Sequence, residues 1–191
     1  MDVSGYVTAM YKHCPFLKAS TARGMTCWTV YEMAPEVHRY SLEAELFHAA
    51  VRAAEWVRSS ARRTLSPLAC ENIVVLPAGE GADADPGELM VWPHWALKHL
   101  YGPVGVMFGK FTRGVQEWDK HGRSVPPAPY SFLPVRSSVR LRDPAFLTDT
   151  PDLSATVATA DDDGHDVFAH MPCEWKVVRE WAGSLPAPKR R

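Results

Sequence analysis

Between Leu97 and Phe146 the chain concentrates the side chains best suited to binding chemistry. An apolar, glycine-containing run from Pro103 to Gly109 ends in a basic segment, Lys110 to Arg113, and a strand-like segment further on carries Arg136, Arg140 and Arg142. A guanidinium presents a planar fork of donors that matches a carboxylate or another planar anion. Arg136 and Arg140 are therefore the candidates to hold an anionic group of a small substrate. Trp92, Trp95 and Met107 are the candidate apolar wall of the pocket, with Arg136, two residues past Pro134, at its mouth. Arginines at plain sheet edges have the same pattern, so it points to a binding chemistry and not to a reaction.

The eight histidines form no HxH, HxxxH or HExxH pair. His94 and His99 stand about 140° apart around a helix, a poor geometry for two ligands of one ion, and no zinc centre is expected. Asp161, Asp162 and Asp163 before Gly164 lack the alternating spacing of a calcium loop and read as a helix-ending turn. A single imidazole suffices to hold a heme iron, which leaves His99 and His48 as candidate axial ligands. His99 shares a helical face with Trp92 and Trp95; His48 lies off the apolar face of its helix and needs a partner subunit to cover it. A buried histidine satisfied by its neighbours is the competing reading for both.

Cys14, Cys27, Cys70 and Cys173 are widely spaced, with no CxxC pair, so neither a zinc ribbon nor a disulfide framework is expected. Reduced thiols in a cytoplasmic protein follow. Cys14 precedes Pro15, which has no backbone N–H to stabilise a thiolate, and reads as a packing residue. No GxSxG, phosphate loop or dinucleotide fingerprint occurs.

The 191 residues suit a single domain spanning 1–185 with a short basic tail at 186–191. A formal net charge of -1 argues against a general nucleic-acid binder. The N-terminus has no secretory pattern, and no apolar run is long enough for a membrane span. The expected partner is a small-molecule substrate, with neither nucleic acid nor membrane, and a homodimer is compatible with the same features.

The elements that must position these residues follow from periodicity. Leu42, Leu46, Ala49, Ala53 and Val57 recur on one face of a helix capped by Ser41 and running to about Arg62. Thr26 to Glu32, Ile73 to Leu76, Val104 to Phe108 and part of Tyr130 to Leu141, bent at Pro134, read as strands. Helical turns are expected from Glu88 to Tyr101, interrupted at Pro93. Further helices are expected over Leu153 to Ala160 and Cys173 to Ala182, with Pro172 in the first turn of the latter. Ala78 to Gly87 and Glu117 to Pro129 read as surface loops. Strands and helices do not alternate regularly, which predicts an α+β domain with a mostly antiparallel sheet packed by helices.

Several short motifs occur together: Cys14, Pro15 and Phe16; Val74 to Pro77; Gly105, Met107, Gly109 and Phe111; Pro129 to Arg136; and Asp143, Phe146 and Leu147. In this order they resemble a family of small, mostly uncharacterised actinobacterial proteins often found beside secondary-metabolite genes, across roughly residues 11 to 150. That family is distantly similar to the heme-dependent N-hydroxylases of arginine. Where those relatives follow the phenylalanine with His-Pro, this chain has Thr112 and Arg113. The resemblance implies a tailoring enzyme of bacterial specialised metabolism, a heme-dependent oxygenase acting on an amino-acid-derived substrate. The alternatives are a cofactor-free cyclase or isomerase with an aromatic pocket, and a non-catalytic binding protein on the same fold.

Overall fold

The β-branched and aromatic run Thr26–Met33 forms β1, and the apolar run Cys70–Pro77 forms β2. A computed structural model supplies these elements and describes residues 3–34, 37–64, 67–77, 85–119 and 121–186. The two strands run parallel in unbroken register from Thr26 opposite Cys70 to Met33 opposite Pro77. Parallel neighbours need a crossover, and the 26-residue helix α3, Arg39–Thr64, supplies it. The strand β3 (Val106–Phe108) is followed by a small hairpin of β4 (Glu117–Trp118) and β5 (Ser124–Val125), and then by β6 (Ser131–Ser137). β6 lies antiparallel between β2 and β3, so the main sheet runs β1-β2-β6-β3. The architecture is α+β, as expected, and the one parallel pair makes the sheet mixed.

Side-chain alternation splits the sheet into two faces. Met33, Ile73, Val75, Leu133, Val135, Val106 and Phe108 belong to the main core. α3 covers it with Leu42, Leu46, Phe47, Ala50, Ala53, Ala54 and Val57. The expected helix face is right except at Ala49, which is half-buried while Ala50 is buried. Ser41 does not cap α3: it lies inside the helix, and the imidazole Nδ1 of His38 accepts the Tyr40 N–H at 3.2 Å instead. A short α4 (Pro86–Leu89), capped by Asp85, leads into α5 (Val91–Tyr101). Pro93 falls in the first turn of α5, where its missing N–H costs no helical bond, so it does not interrupt the helix. The C-terminal α7 runs Trp175–Ser184 and starts after Pro172.

The opposite face carries Val74 and Phe132, packed by Tyr6, Trp28, Phe111 and Ala128. Two helices that periodicity did not reveal cover this side, α1 (Ser4–Met10) and α2 (Pro15–Ala22). The segment expected as an exposed loop, Glu117 to Pro129, contains the β4–β5 hairpin, and its Val125 is buried with Val7, Met10 and Leu17. Asp119 fixes the hairpin turn by accepting the N–H groups of His121 (2.9 Å) and Arg123 (3.0 Å). It also accepts a bond involving His13 Nδ1 at 3.0 Å, which ties the hairpin to the α1–α2 connection.

β6 continues through Pro134 without interruption. Gly109 donates its N–H to the Pro134 carbonyl at 2.9 Å, and a Cβ on Gly109 would sit 2.7 Å from the proline ring. β3 starts at Val106 because Gly105, at φ +73, completes a turn from the end of α5. After β6 come a 3-10 helix, Asp143–Phe146, and α6, Pro151–Ala158. Residues 78–84 of the expected acidic loop and 187–191 of the expected tail lie outside the described residues. Among the described residues no helix is long and apolar enough to cross a membrane.

Candidate functional site

Where β6 ends and β3 begins, the sheet leaves a cleft of about 280 Å³ against the last turns of α3 and the segment after α6. Arg58 and Arg62, at i and i+4, stand on the same side of α3 and line it. Ser137, Ser138 and Arg140 line it from the end of β6, and Asp161 and Asp162 from the segment after α6.

These charges are unequally committed. Arg58 is buried and donates from Nη2 to Asp162 at 2.7 Å, from Nε to the same carboxylate at 3.2 Å and from Nη1 to Glu55 at 2.9 Å. Burial opposes its charge, but Asp162 and Glu55 hold the guanidinium above its ordinary pKa. Arg62 donates to both oxygens of Asp162 at 3.1 Å. Arg140 is different. Its side chain is 58 % exposed, and among the described residues its guanidinium meets only Asp161, 3.6 Å away and 87 % exposed. An exposed pair of that kind contributes about 0–1 kcal/mol and yields readily to a better partner.

Ser137 continues the α3-facing row of Leu133 and Val135 to the cleft. Ser138 donates its backbone N–H to the Gly105 carbonyl at 2.7 Å, and its Oγ lies 3.4 Å from where a Gly105 Cβ would be. Neither serine hydroxyl has a hydrogen-bond partner among the described residues. Two spare hydroxyls and one loosely paired guanidinium at a single opening can coordinate an anion.

Of the binding and cofactor candidates named from sequence, Arg140 alone lines this cleft. Arg136 lies on the opposite face of the sheet, in a row with Cys70 and Met107. It forms a two-point pair with Asp143, Nη1 to Oδ2 at 2.6 Å and Nη2 to Oδ1 at 2.9 Å, beneath the ring of Phe16 at 5.0 Å. Burial opposes this charge too, and Asp143 more than compensates, raising the pKa. The guanidinium is thus occupied by a carboxylate of the chain itself and does not stand at a pocket mouth. In the same row, burial pushes the Cys70 thiol up to about 12, so it packs as a neutral side chain.

The expected wall of Trp92, Trp95 and Met107 does not assemble. Met107 points away from Val106 and Phe108 and packs with Leu147, Leu153 and Val157. Trp95 is buried in the main core, and Trp92 lies under the Arg179 guanidinium at 3.6 Å. His99 meets Trp95 edge-on at 4.5 Å, with its Nε2 buried and unpartnered. His48 is half-buried with its ring 5.2 Å from that of Phe47. A heme needs an open slot in front of an axial nitrogen. On His99 the unpartnered Nε2 is buried, and neither histidine lines the cleft. Among the described residues no three His, Cys, Asp or Glu side chains come together as a metal site, and the four cysteines are free thiols.

A second set of basic groups lies along α5. His94 Nε2 meets the Phe108 carbonyl at 3.3 Å, and burial, with Lys98 and Lys110 nearby, lowers its pKa well below 6.5. Burial also lowers the pKa of Lys98. The folded His94 stays neutral where the unfolded one, near pH 6.5, takes up a proton. Its contribution to stability is complete above about pH 6.5 and is lost as the pH falls toward the lower folded value. His94→Gln, which retains a side-chain N–H for Phe108, should therefore flatten the fall of Tm between pH 7 and pH 5. An unchanged slope in thermal melts would show that other groups carry the acid sensitivity.

Sequence reasoning did not bring out Arg58, Arg62, Asp161 and Asp162 as a group, because about a hundred residues separate the arginines from the aspartates. The available signal was an arginine pair at i,i+4 on the buried stretch of a helix. No family model matches the chain, and no curated protein or solved structure matches it.

Proposed function

We propose that the protein binds a small carboxylate-bearing molecule in the cleft between α3 and the open ends of β3 and β6. Arg140 grasps the carboxylate, and the hydroxyls of Ser137 and Ser138 supply further donors. The observation that carries this reading is the state of Arg140: exposed, held among the described residues by a single 3.6 Å contact to an exposed aspartate, and beside two hydroxyls with no hydrogen-bond partner among the described residues. Arg58 and Arg62, tied to Asp162, keep the cleft wall in place and add positive potential. Amino-acid-derived carboxylates are the class to try first, in line with the sequence resemblance.

A cofactor-free enzyme on the same site is the second reading. It is favoured by Asp161, whose carboxylate lines the cleft with no tight guanidinium partner among the described residues and so is available to move a proton.

The test is titration of the full chain with a panel of small monocarboxylates and amino acids, followed by NMR or calorimetry. A charge-assisted hydrogen bond contributes about 1.5–3 kcal/mol, so Arg140→Ala should weaken binding roughly 10- to 100-fold. Arg140→Lys should recover part of the loss. Binding that is indifferent to Arg140→Ala sinks the assignment. Asp161→Asn separates the two readings, since it abolishes turnover in an enzyme and leaves carboxylate binding intact.

A further inference from the structure

The two edges of the main sheet are treated differently. β3 is three residues long, and the His94 side chain on α5 reaches its Phe108 carbonyl. β1, at the other edge, has eight residues, paired with β2 along its whole length without a bulge. Among the described residues none outside β2 hydrogen-bonds the β1 backbone. Proteins blunt such edges with prolines, lysines, bulges or a covering element. β1, Thr-Cys-Trp-Thr-Val-Tyr-Glu-Met, has no proline and no lysine, and its only charge is Glu32. Cys27, Thr29, Val30 and Glu32 are exposed, Val30 by 44 %. α3 lies mainly over β2 and β6 and meets β1 through Met33 and through Tyr31, whose hydroxyl donates to Glu45 at 2.8 Å, while the Thr29 and Cys27 side chains further along that face stay exposed.

We propose that two copies of this chain associate by antiparallel pairing of β1 with β1, doubling the four-stranded sheet. A two-fold axis perpendicular to the sheet makes the backbone donors and acceptors of one edge complementary to those of its copy. Centred on Thr29, the pairing sets Val30 opposite Trp28 of the other copy, Cys27 opposite Tyr31 and Glu32 opposite Thr26. The exposed valine then gains an aromatic cross-strand neighbour, a favourable pair. The only charge meets a neutral hydroxyl instead of its own like. An unrelated peptide would need to bring this match of pattern and charge; a second copy has it by symmetry. The α3 layers of the two copies fall on the same side of the joined sheet, as the axis requires.

Sedimentation of the full chain should give a dimer whose proportion rises with concentration. Val30→Lys places two like charges near the axis, and should yield a monomer with an unchanged melting temperature. In a Cys27→Ser background, Thr29→Cys should link two copies under mild oxidation, with the cross-link mapped to residue 29 by mass spectrometry, because Thr29 faces itself across the axis. A chain that stays monomeric up to its solubility limit overturns the proposal. So does a dimer that survives Val30→Lys and gives no cross-link at residue 29.

Discussion

Replacing Asp143 with alanine should destabilise the fold by about 3–5 kcal/mol, the range for breaking a buried ion pair by removing one partner. Asp143 is fully buried, and its carboxylate takes both forks of Arg136 and the Val139 N–H at 2.6 Å. Alanine strands a guanidinium and a backbone N–H inside the protein, and neither regains water. For a chain of this size the loss corresponds to a fall in Tm of roughly 6–20 °C. Replacing both partners, Arg136→Met with Asp143→Leu, should recover most of it, because the cost lies in the unpaired charge and not in the missing pair. If Asp143→Ala melts like the parent, Arg136 has another anion to turn to.

The next largest effect is expected at Leu46. Its side chain is completely buried in the middle of α3, packed in the same core as Ile73, Val75, Leu133 and Val135. Leu46→Ala should cost about 2–5 kcal/mol, made up of lost transfer energy and the cavity left behind. In urea the midpoint should move while the slope stays constant, which marks a change in stability and not in the unfolded state. A loss below about 0.5 kcal/mol, usual for surface positions, would mean that α3 presents a different face to the sheet.

What could be read from the sequence was what a single period carries. β1, β2 and α3 show long, clean patterns, and their positions follow within a few residues. The hairpin β4–β5 has two residues per strand, too few for alternation to register, and a side-chain turn around Asp119 holds it. α1 and α2 have seven and eight residues, and neither start is marked by a side-chain cap. Their apolar positions, Val7, Met10, Phe16 and Leu17, make sense only against the sheet face they cover.

The candidate site was legible in chemistry and not in place. Arginine as an anion-holding side chain was readable, but Arg136 and Arg140 fall on different sides of the end of β6. What separates them is Asp143, seven residues from Arg136, which neutralises one arginine and leaves the other. The aromatic wall failed for a reason of parity. Val106 and Phe108 belong to the main core, so Met107 between them must turn away from Trp95.

The position of β6 also bears on how the chain is made. The ribosome releases residues in order, yet the strand in the interior of the sheet, Ser131–Ser137, is the last of its four to emerge. Until it does, β1, α3 and β2 can form a unit on their own, but β2 keeps one bare flank beside Ile73, Val74 and Val75. Among the described residues Val106–Phe108 has no strand neighbour during the same interval, since β6 is the one strand it pairs with. A nascent chain stalled between residues 108 and 131 therefore presents two sticky strand flanks at once, the kind of surface chaperones hold and aggregation exploits. Arrival of β6 closes both in a single step, which makes completion of the sheet a late and cooperative event in synthesis.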